Sequence, residues 1–227
     1  MAWKGKSVGV VIVAGGSGSR MGADVPKQFL LVGGVPILTR TIRAFEPYAD
    51  KMVVVLPESE MERWGEMARQ SGVEHLHRVC AGGASRFESV RNGLAALEGC
   101  DLVAIHDGVR PLLSGAMIER GIECAATHGS AIPVVDAVDS FRVDEGGDLK
   151  VIDRSRLKAV QTPQIFAAER LLRAYGATPN PRFTDDATVV EEANGRLAYY
   201  QGERRNIKIT TPEDLLIAEA FVRAVQE

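Results

Sequence analysis

Short apolar runs alternate with helical patterns along most of the chain, and this alternation is what most restricts the possible folds. Val8–Val13, Met52–Leu56, Leu102–Ile105 and Ala131–Val135 have the length and continuous apolar character of strands covered on both faces. Segments with apolar residues three and four positions apart separate them, the first carried by Ile37, Leu38, Thr41, Ile42 and Phe45. This order predicts an α/β fold with a mostly parallel, doubly wound sheet.

One stretch, at approximately 136–156, breaks the alternation. Ser140–Val143 and Leu149–Ile152 flank an acidic, glycine-containing turn at 144–148, which predicts a β-hairpin that projects as an arm. An isolated hairpin is barely stable in water, so the arm packs either on a second subunit or back on its own domain, and the sequence leaves both open. We predict one domain over 1–227 that carries this arm.

Charge and cysteine content narrow the possible functions. The 227 residues include 27 Lys and Arg against 30 Asp and Glu, a net charge of −3, which makes a non-specific nucleic-acid binder a poor candidate. Cys80, Cys100 and Cys124 lie far apart, which disfavours disulfides or a zinc site and favours buried small hydrophobes. The apolar run Val10–Ala14 is too short to span a membrane. We expect a cytoplasmic protein with no nucleic-acid or membrane partner.

A glycine-rich loop at 14–22 follows the first strand. Its consecutive N–H groups can form a concavity that binds anions. The spacing misses the dinucleotide fingerprint by one residue, and the Gly-Lys-Ser/Thr ending of a P-loop is absent. Arg20 inside the loop and Lys27 just after it add positive charge, which favours a triphosphate over a plain glycine turn.

Two further segments are expected to meet this loop. Gly15-Gly16, Gly82-Gly83 and Asp107 each fall where a predicted strand ends. Ligands of doubly wound sheets bind beyond the carboxyl ends of the strands. The sequence therefore predicts that three separate segments converge on one crevice.

Ordered motifs complete a recognisable set. After the glycine loop the chain carries Pro26-Lys27-Gln28-Phe29-Leu30, Gly82-Gly83-x-x-Arg86-x-x-Ser89-Val90, His106-Asp107-Gly108-Val109-Arg110-Pro111, Thr162-Pro163-Gln164, Thr184-Asp185-Asp186-Ala187 and Asn206-Ile207-Lys208-Ile209-Thr210-Thr211-Pro212-Glu213-Asp214. From residue 8 to about 220 the sequence resembles the 2-C-methyl-D-erythritol 4-phosphate cytidylyltransferase family of the non-mevalonate isoprenoid pathway.

The resemblance implies a reaction. CTP and methylerythritol 4-phosphate would give 4-diphosphocytidyl-methylerythritol and pyrophosphate by in-line attack of the acceptor phosphate on the α-phosphorus. It also implies Mg²⁺ as cofactor, a Rossmann-like sheet and a homodimer formed through the arm. A phosphomonoester has a second pKa near 6, so the acceptor is already largely a dianion at neutral pH and needs no general base. The protein has to align the groups and neutralise charge.

Roles on the nucleotide side carry over residue by residue. Arg20, Lys27 and Lys208 match the family's catalytic cations, which hold the triphosphate and the charge that develops at the α-phosphorus. The positions that match nucleotide-binding residues are Ala14, Gly15, Gly16, Gly18, Gly83, Arg86 and Ser89. Ala84 stands where many members have an acidic residue, and Arg86 is alternatively an exposed residue at a helix start.

Roles on the acceptor side are likewise implied by the resemblance. The matching positions are Asp107, Arg110, Ser140, Arg154 and Thr162, with Asp107 also the Mg²⁺ ligand and Arg154 reaching from the partner's arm. One or two protein carboxylates suffice for Mg²⁺ on a nucleotide. Simpler interpretations stay open: Arg110 pairs with Asp107, Thr162 is a turn residue, and the segment at 184–186 caps a helix.

Three alternatives remain at this stage. A ribitol-5-phosphate cytidylyltransferase would use the same chemistry on another polyol phosphate. A nicotinamide-dependent oxidoreductase could use a related sheet, although the loop spacing and its cations count against it. A non-catalytic nucleotide-binding protein would not need the four candidate residues Arg20, Lys27, Asp107 and Lys208.

Overall fold

The computed structural model describes residues 3–15, 25–176, 180, 182–193 and 195–226. Within these ranges eight strands form the main sheet. In chain order they are β1 (Val8–Val13), β4 (Lys51–Leu56), β5 (Arg78–Ala81), β6 (Leu102–Asp107), β7 (Ser130–Asp136), β10 (Lys158–Val160), β11 (Gln164–Ala167) and β12 (Tyr199–Gln201). Two short pairs lie outside this sheet, β2 (Leu31–Val32) with β3 (Val35–Pro36) and β8 (Phe141–Asp144) with β9 (Leu149–Ile152).

The sheet is mostly parallel, as predicted. Its order is β10-β7-β11-β6-β1-β4-β5, and β12 also pairs with β7. The pairs of β1 with β4 and β6, of β4 with β5 and of β12 with β7 are parallel. Only β10 and β11, among the described strands of this sheet, run antiparallel to their neighbours. In register, Val13 at the end of β1 lies beside Val55 and Asp107, so three strands end at one level.

Helices cover both faces of the sheet, which is the doubly wound arrangement. Their bounds are α1 (Ile37–Phe45), α2 (Met61–Gln70), α3 (Arg86–Ala95), α4 (Gly115–His128), α5 (Ala168–Tyr175), α6 (Asp186–Glu192) and α7 (Pro212–Gln226). Helices α1, α2 and α4 share one apolar cluster with Val10 and Ile12 of β1. Helices α3, α5 and α6 share a second cluster with Val11 of the same strand. Alternate residues of β1 therefore face two different cores.

Local sequence explains where several helices begin and end. Ser114 caps α4 by accepting a hydrogen bond from Met117 N, and Gly129 ends that helix in the left-handed conformation at φ 76°. Glu58–Glu60, directly after Pro57, form a 3-10 turn, and the α-helix begins at Met61.

The hairpin arm is present as predicted. Strands β8 and β9 pair antiparallel, with Phe141 opposite Ile152 and Asp144 opposite Leu149. Apolar side chains of the arm are exposed, most of all Val151 at 73%. Within the described part of the chain, therefore, nothing covers these side chains. The sequence did not predict that the chain returns from the arm through β10 and β11 into the main sheet.

Two smaller expectations concern burial. The sequence predicts buried cysteines. The three cysteines are unpaired and pack against the two apolar clusters, but they are only half-buried. No helix in the described ranges is both long and apolar enough to cross a lipid bilayer.

Candidate active site

A cavity of about 310 Å³ opens where β1, β5 and β6 end. Most residues that the sequence singled out for nucleotide binding and catalysis line it. They are Ala14, Gly15, Lys27, Gly83, Arg86, Ser89, Asp107 and Lys208. The predicted convergence of three strand ends on one crevice is confirmed for Gly15, Gly83 and Asp107.

A second cavity of about 410 Å³ adjoins the first. Arg86, Asp107 and Lys208 line both, so these three side chains form a shared wall. The second cavity is also lined by two residues that the sequence assigned to the acceptor, Arg110 and Thr162. Two compartments joined at one charged wall are what a reaction between two bound substrates requires.

Three expected site residues, Arg20, Gly16 and Gly18, lie outside the described residues. Two others are not among the residues that line either cavity. Ser140 and Arg154 lie on the exposed arm, and Arg154 donates a hydrogen bond to the carbonyl oxygen of Val138 at 2.7 Å. Within one subunit the arm residues are therefore apart from the shared wall.

Asp107 is the electrostatic centre of that wall. Its Oδ2 lies 3.1 Å from Lys208 Nζ and 3.2 Å from Arg110 Nε. Burial alone would raise the pKa of the Asp107 carboxyl. The surrounding cations, with Lys208 the strongest, outweigh burial and hold this pKa well below its usual range. Asp107 is therefore ionised at every pH at which a phosphate ester is a dianion.

Arg110 pairs with Asp107, which is the simpler of the two interpretations of this residue. Besides its ion pair with Asp107, it donates a hydrogen bond from Nη1 to the carbonyl oxygen of Asn206 at 2.9 Å. Arg110 thereby ties the end of β6 to the segment that carries Lys208. Its guanidinium still borders the second cavity, so an anion there would meet it.

Behind Asp107 a chain of hydrogen bonds fixes the end of β6. The Thr162 hydroxyl accepts from Asp107 N at 3.1 Å and lies 3.0 Å from His106 Nδ1. His106 Nε2 lies 3.1 Å from the carbonyl oxygen of Arg110 and must donate to it, so Nδ1 accepts from the hydroxyl. Burial lowers the pKa of His106 to about 4, in keeping with this neutral ring. Thr162 thus lines the second cavity while its hydroxyl is engaged by the protein.

The turn at Gly83 forms another part of the wall of the first cavity. The Ser89 hydroxyl accepts from Gly83 N at 3.1 Å and donates to the carbonyl oxygen of Ser85 at 2.9 Å. Ser85 caps α3 in a capping box with Glu88. A Cβ on Gly83 would lie 2.3 Å from Glu88 Cβ, so only glycine fits here. Ser89 therefore braces the turn, and the backbone of Gly83 is left to face a ligand.

Arg86, at the first position of α3, is not an exposed helix-start residue. It forms a forked pair with Asp186, with distances of 2.9 Å and 2.6 Å, and the Tyr175 hydroxyl donates to the same carboxylate at 2.6 Å. Burial alone would lower the pKa of Arg86. Its acidic neighbours, Asp186 foremost, act in the opposite direction and together outweigh burial, so the pKa is raised above its ordinary value and the guanidinium stays charged. Asp185, as the sequence predicted, caps α6 by accepting from Thr188 N.

The position of Lys27 is set by a short helical turn. Lys27 is the first residue of this 3-10 turn, Lys27–Phe29, which follows Pro26. Phe29 is buried and stacks on Trp64, with ring centroids 5.9 Å apart and planes 3° from parallel. Gln28, between Lys27 and Phe29 in the chain, is 1% exposed and lines the first cavity. The sequence does not indicate that Gln28 is buried or that Asp186 pairs with Arg86, because neither residue stands in a pattern typical of such an environment.

The donor set can be tested for a divalent metal. The described residues contain no group of three or more His, Cys, Asp or Glu side chains that could hold a metal ion by themselves. Mg²⁺ on a nucleotide takes most of its oxygens from phosphates and water. In the ion pairs of Asp107 with Arg110 and Lys208, the contacts at 3.2 Å and 3.1 Å are made by Oδ2. One ionised carboxylate at the shared wall therefore fits Mg²⁺ that arrives with a triphosphate.

Comparisons with known proteins agree with this geometry. A family model described as IspD, 2-C-methyl-D-erythritol 4-phosphate cytidylyltransferase, matches residues 8–224. A protein with that name from Bacteroides fragilis is 45% identical over 215 residues, which cover 93% of this chain and 98% of the relative. Another, from Bacillus mycoides, is 39% identical over 218 residues, covering 94% and 96%.

Solved structures give the same result for the fold. The crystal structure of 2-C-methyl-D-erythritol 4-phosphate cytidylyltransferase from Thermus thermophilus matches with a TM-score of 0.78 at 33% identity, over 96% of this chain and 99% of that one. The 4-diphosphocytidyl-2C-methyl-D-erythritol synthase of Anaerococcus prevotii matches with a TM-score of 0.81 at 25% identity, over 96% and 99%. The sheet with its arm is therefore an architecture found in solved structures.

Proposed function

The chain belongs to the 2-C-methyl-D-erythritol 4-phosphate cytidylyltransferase family, and on that premise we propose how its own residues divide the work. The enzyme transfers CMP from CTP to 2-C-methyl-D-erythritol 4-phosphate, giving 4-diphosphocytidyl-2-C-methyl-D-erythritol and pyrophosphate. The first cavity takes CTP and the second takes the acceptor. The observation that carries this division is the shared wall of Arg86, Asp107 and Lys208 between them.

Lys208 and Lys27 neutralise the phosphates. Lys208 borders both cavities, so its ammonium can contact the α-phosphate of CTP and the incoming phosphate together. Lys27 borders only the first cavity and faces the triphosphate. The acceptor dianion attacks the α-phosphorus in line, and pyrophosphate leaves with the bonding electron pair. No proton is removed from the acceptor, so the residues act by alignment and charge.

Asp107 would hold the cofactor, Mg²⁺. When bound, the ion would supply positive charge that favours the departure of pyrophosphate. The proposal is tested by Mg²⁺ titration of the complex with a non-hydrolysable CTP analogue, followed by calorimetry. Asp107→Asn should weaken Mg²⁺ binding to that complex roughly tenfold or more. Unchanged Mg²⁺ affinity in this variant would remove Asp107 from the metal site.

The arm supplies the remaining acceptor contacts from a second copy of the chain. Its exposed apolar residues Phe141, Val143, Leu149 and Val151 would be covered in a homodimer. Ser140 and Arg154 of one subunit then reach the second cavity of the other. Sedimentation should give a dimer, and Val151→Asp should give monomers. The cytoplasm stays the expected compartment.

A substrate panel tests the function as a whole. Pyrophosphate release is followed with CTP, Mg²⁺ and either 2-C-methyl-D-erythritol 4-phosphate or ribitol 5-phosphate. The first acceptor should turn over with the higher kcat/KM; preference for ribitol 5-phosphate would reassign the acceptor. Lys27→Ala should lower kcat by roughly 10² to 10³. If it leaves pyrophosphate release unchanged, Lys27 is not part of the catalytic site.

A further inference from the structure

Gln28 has an unusual environment for a buried amide. It is 1% exposed, and among the described residues neither its Nε2 nor its Oε1 has a hydrogen-bond partner. Buried amides are almost always paired, because an unpaired donor or acceptor loses its hydrogen bonds to water without replacement. Two such atoms on one side chain are a cost that the free protein carries.

The position of this amide connects it to the nucleotide. Gln28 lines the first cavity, beside Lys27. Its backbone belongs to the 3-10 turn that Phe29 anchors on Trp64, and Phe29 N donates to the carbonyl oxygen of Pro26 at 2.9 Å. Gln28 therefore borders the cavity assigned to CTP, on a turn that the contact of Phe29 with Trp64 positions.

We propose that Gln28 is a nucleotide-binding residue whose carboxamide is completed by the nucleoside part of CTP. The proposal rests on the assignment of CTP to the first cavity. An unpaired donor and an unpaired acceptor call for a ligand group that both accepts and donates. Phosphate oxygens at neutral pH only accept and would leave Oε1 unpaired. A ribose hydroxyl and the cytosine edge offer both functions.

The test separates binding from stability. Gln28→Met keeps the length of the side chain and removes both polar atoms. We expect the Kd for CTP to rise roughly 10- to 100-fold, while Tm is unchanged or higher because no orphaned amide remains. Thr39→Val is the matched control: Thr39 is fully buried in α1, its Oγ1 is also unpaired among the described residues, and it does not line the cavity. It should leave CTP binding unchanged.

A comparison of several ligands locates the contact on the nucleotide. Inorganic triphosphate should bind wild type and Gln28→Met equally; an equal loss for triphosphate would overturn the nucleoside assignment. A loss seen with CTP but not with dCTP places the contact on the ribose, and a loss seen with CTP but not with UTP places it on the base. A lowered Tm with unchanged CTP affinity would show that the amide is paired within the protein and would overturn the proposal.

One measurement needs no folded variant. In wild-type protein, the side-chain NH₂ resonance of Gln28 should shift on addition of CTP and stay in place with inorganic triphosphate. If this resonance does not shift although calorimetry shows that the protein binds CTP, the proposal for Gln28 is overturned and the assigned function is not. Wild-type protein that binds no CTP would instead overturn the assigned function.

Discussion

Arg86 and Asp186 are 100 positions apart in the chain and meet in a forked ion pair, with distances of 2.9 Å and 2.6 Å. Asp186 is fully buried, and 27% of the Arg86 side chain is exposed. The pair joins the turn that borders the first cavity to helix α6, whose first residues border the second cavity. It is therefore a structural link between the two cavities.

Breaking this pair should cost stability and binding together. Asp186→Asn removes one charge and leaves Arg86 without its partner, so we expect a loss of about 3 kcal/mol in the free energy of unfolding, measured with urea. KM should rise for both CTP and the acceptor. Glu169→Gln is the control, because its pair with Arg173 is exposed and should change stability by about 0.5 kcal/mol or less. Equal effects of the two variants would contradict the prediction.

Mild acid should destabilise the protein through His106. The pKa of His106 is about 4 when folded and about 6.5 in an unfolded chain. Between these values the unfolded chain binds more protons, so the free energy of unfolding falls by about 3 kcal/mol as the pH drops through this window.

The pH dependence has a second contributor and a control. Burial also lowers the pKa of His77, which adds to the slope in the same direction. His106→Gln should flatten the dependence between pH 4 and 6.5 without removing it. The stability that Asp107 contributes is lost only in stronger acid, because its pKa is lowered. An unchanged slope in His106→Gln would show that His106 does not set it.

A methyl group on Gly83 should disturb the nucleotide turn. Its Cβ would overlap Glu88, a member of the capping box of α3, so Gly83→Ala should destabilise by about 1 to 3 kcal/mol and raise KM for CTP roughly tenfold. KM for the acceptor should change little. Gly65→Ala in α2, where nothing lies within 4 Å of the new Cβ, should instead stabilise by about 0.5 to 1 kcal/mol.

A homodimer with exchanged arms predicts complementation between inactive subunits. Lys27→Ala disables the cavity of its own chain, and Arg154→Ala would disable the cavity of the partner. Co-expressed variants should give about one quarter of wild-type activity, because half of the dimers are mixed and each has one intact site. Each variant alone should be nearly inactive. No recovery in the mixture would place Arg154 outside the partner's site.

The sequence predicts the strand at 8–13, most of the strand at 102–107 (as 102–105) and helix α1, because apolar periodicity records which faces are buried. The helix cap at Asp185 also follows from the sequence, because the capping side chain acts within three residues. The pairing of β10, β11 and β12 does not follow, since three- or four-residue strands carry almost no periodicity.

The candidate site divides in the same way. Glycines and cations after strand ends reveal where phosphates would bind. The partner of Arg86 and the neutral ring of His106 depend on contacts between distant segments, and those arise only in the folded chain. Gln28 is a single polar residue in a short motif, and that motif gives no sign that its side chain is buried.

The common border of Arg86, Asp107 and Lys208 limits how such an enzyme can be re-engineered. With CTP in the first cavity and the acceptor in the second, as proposed, any replacement there should alter the recognition of both substrates. Variants that accept a different polyol must then arise at positions reached by the acceptor alone, such as those at the far end of its compartment or on the neighbouring subunit's arm. The choice of nucleotide and the choice of alcohol can diverge only where their surroundings are separate.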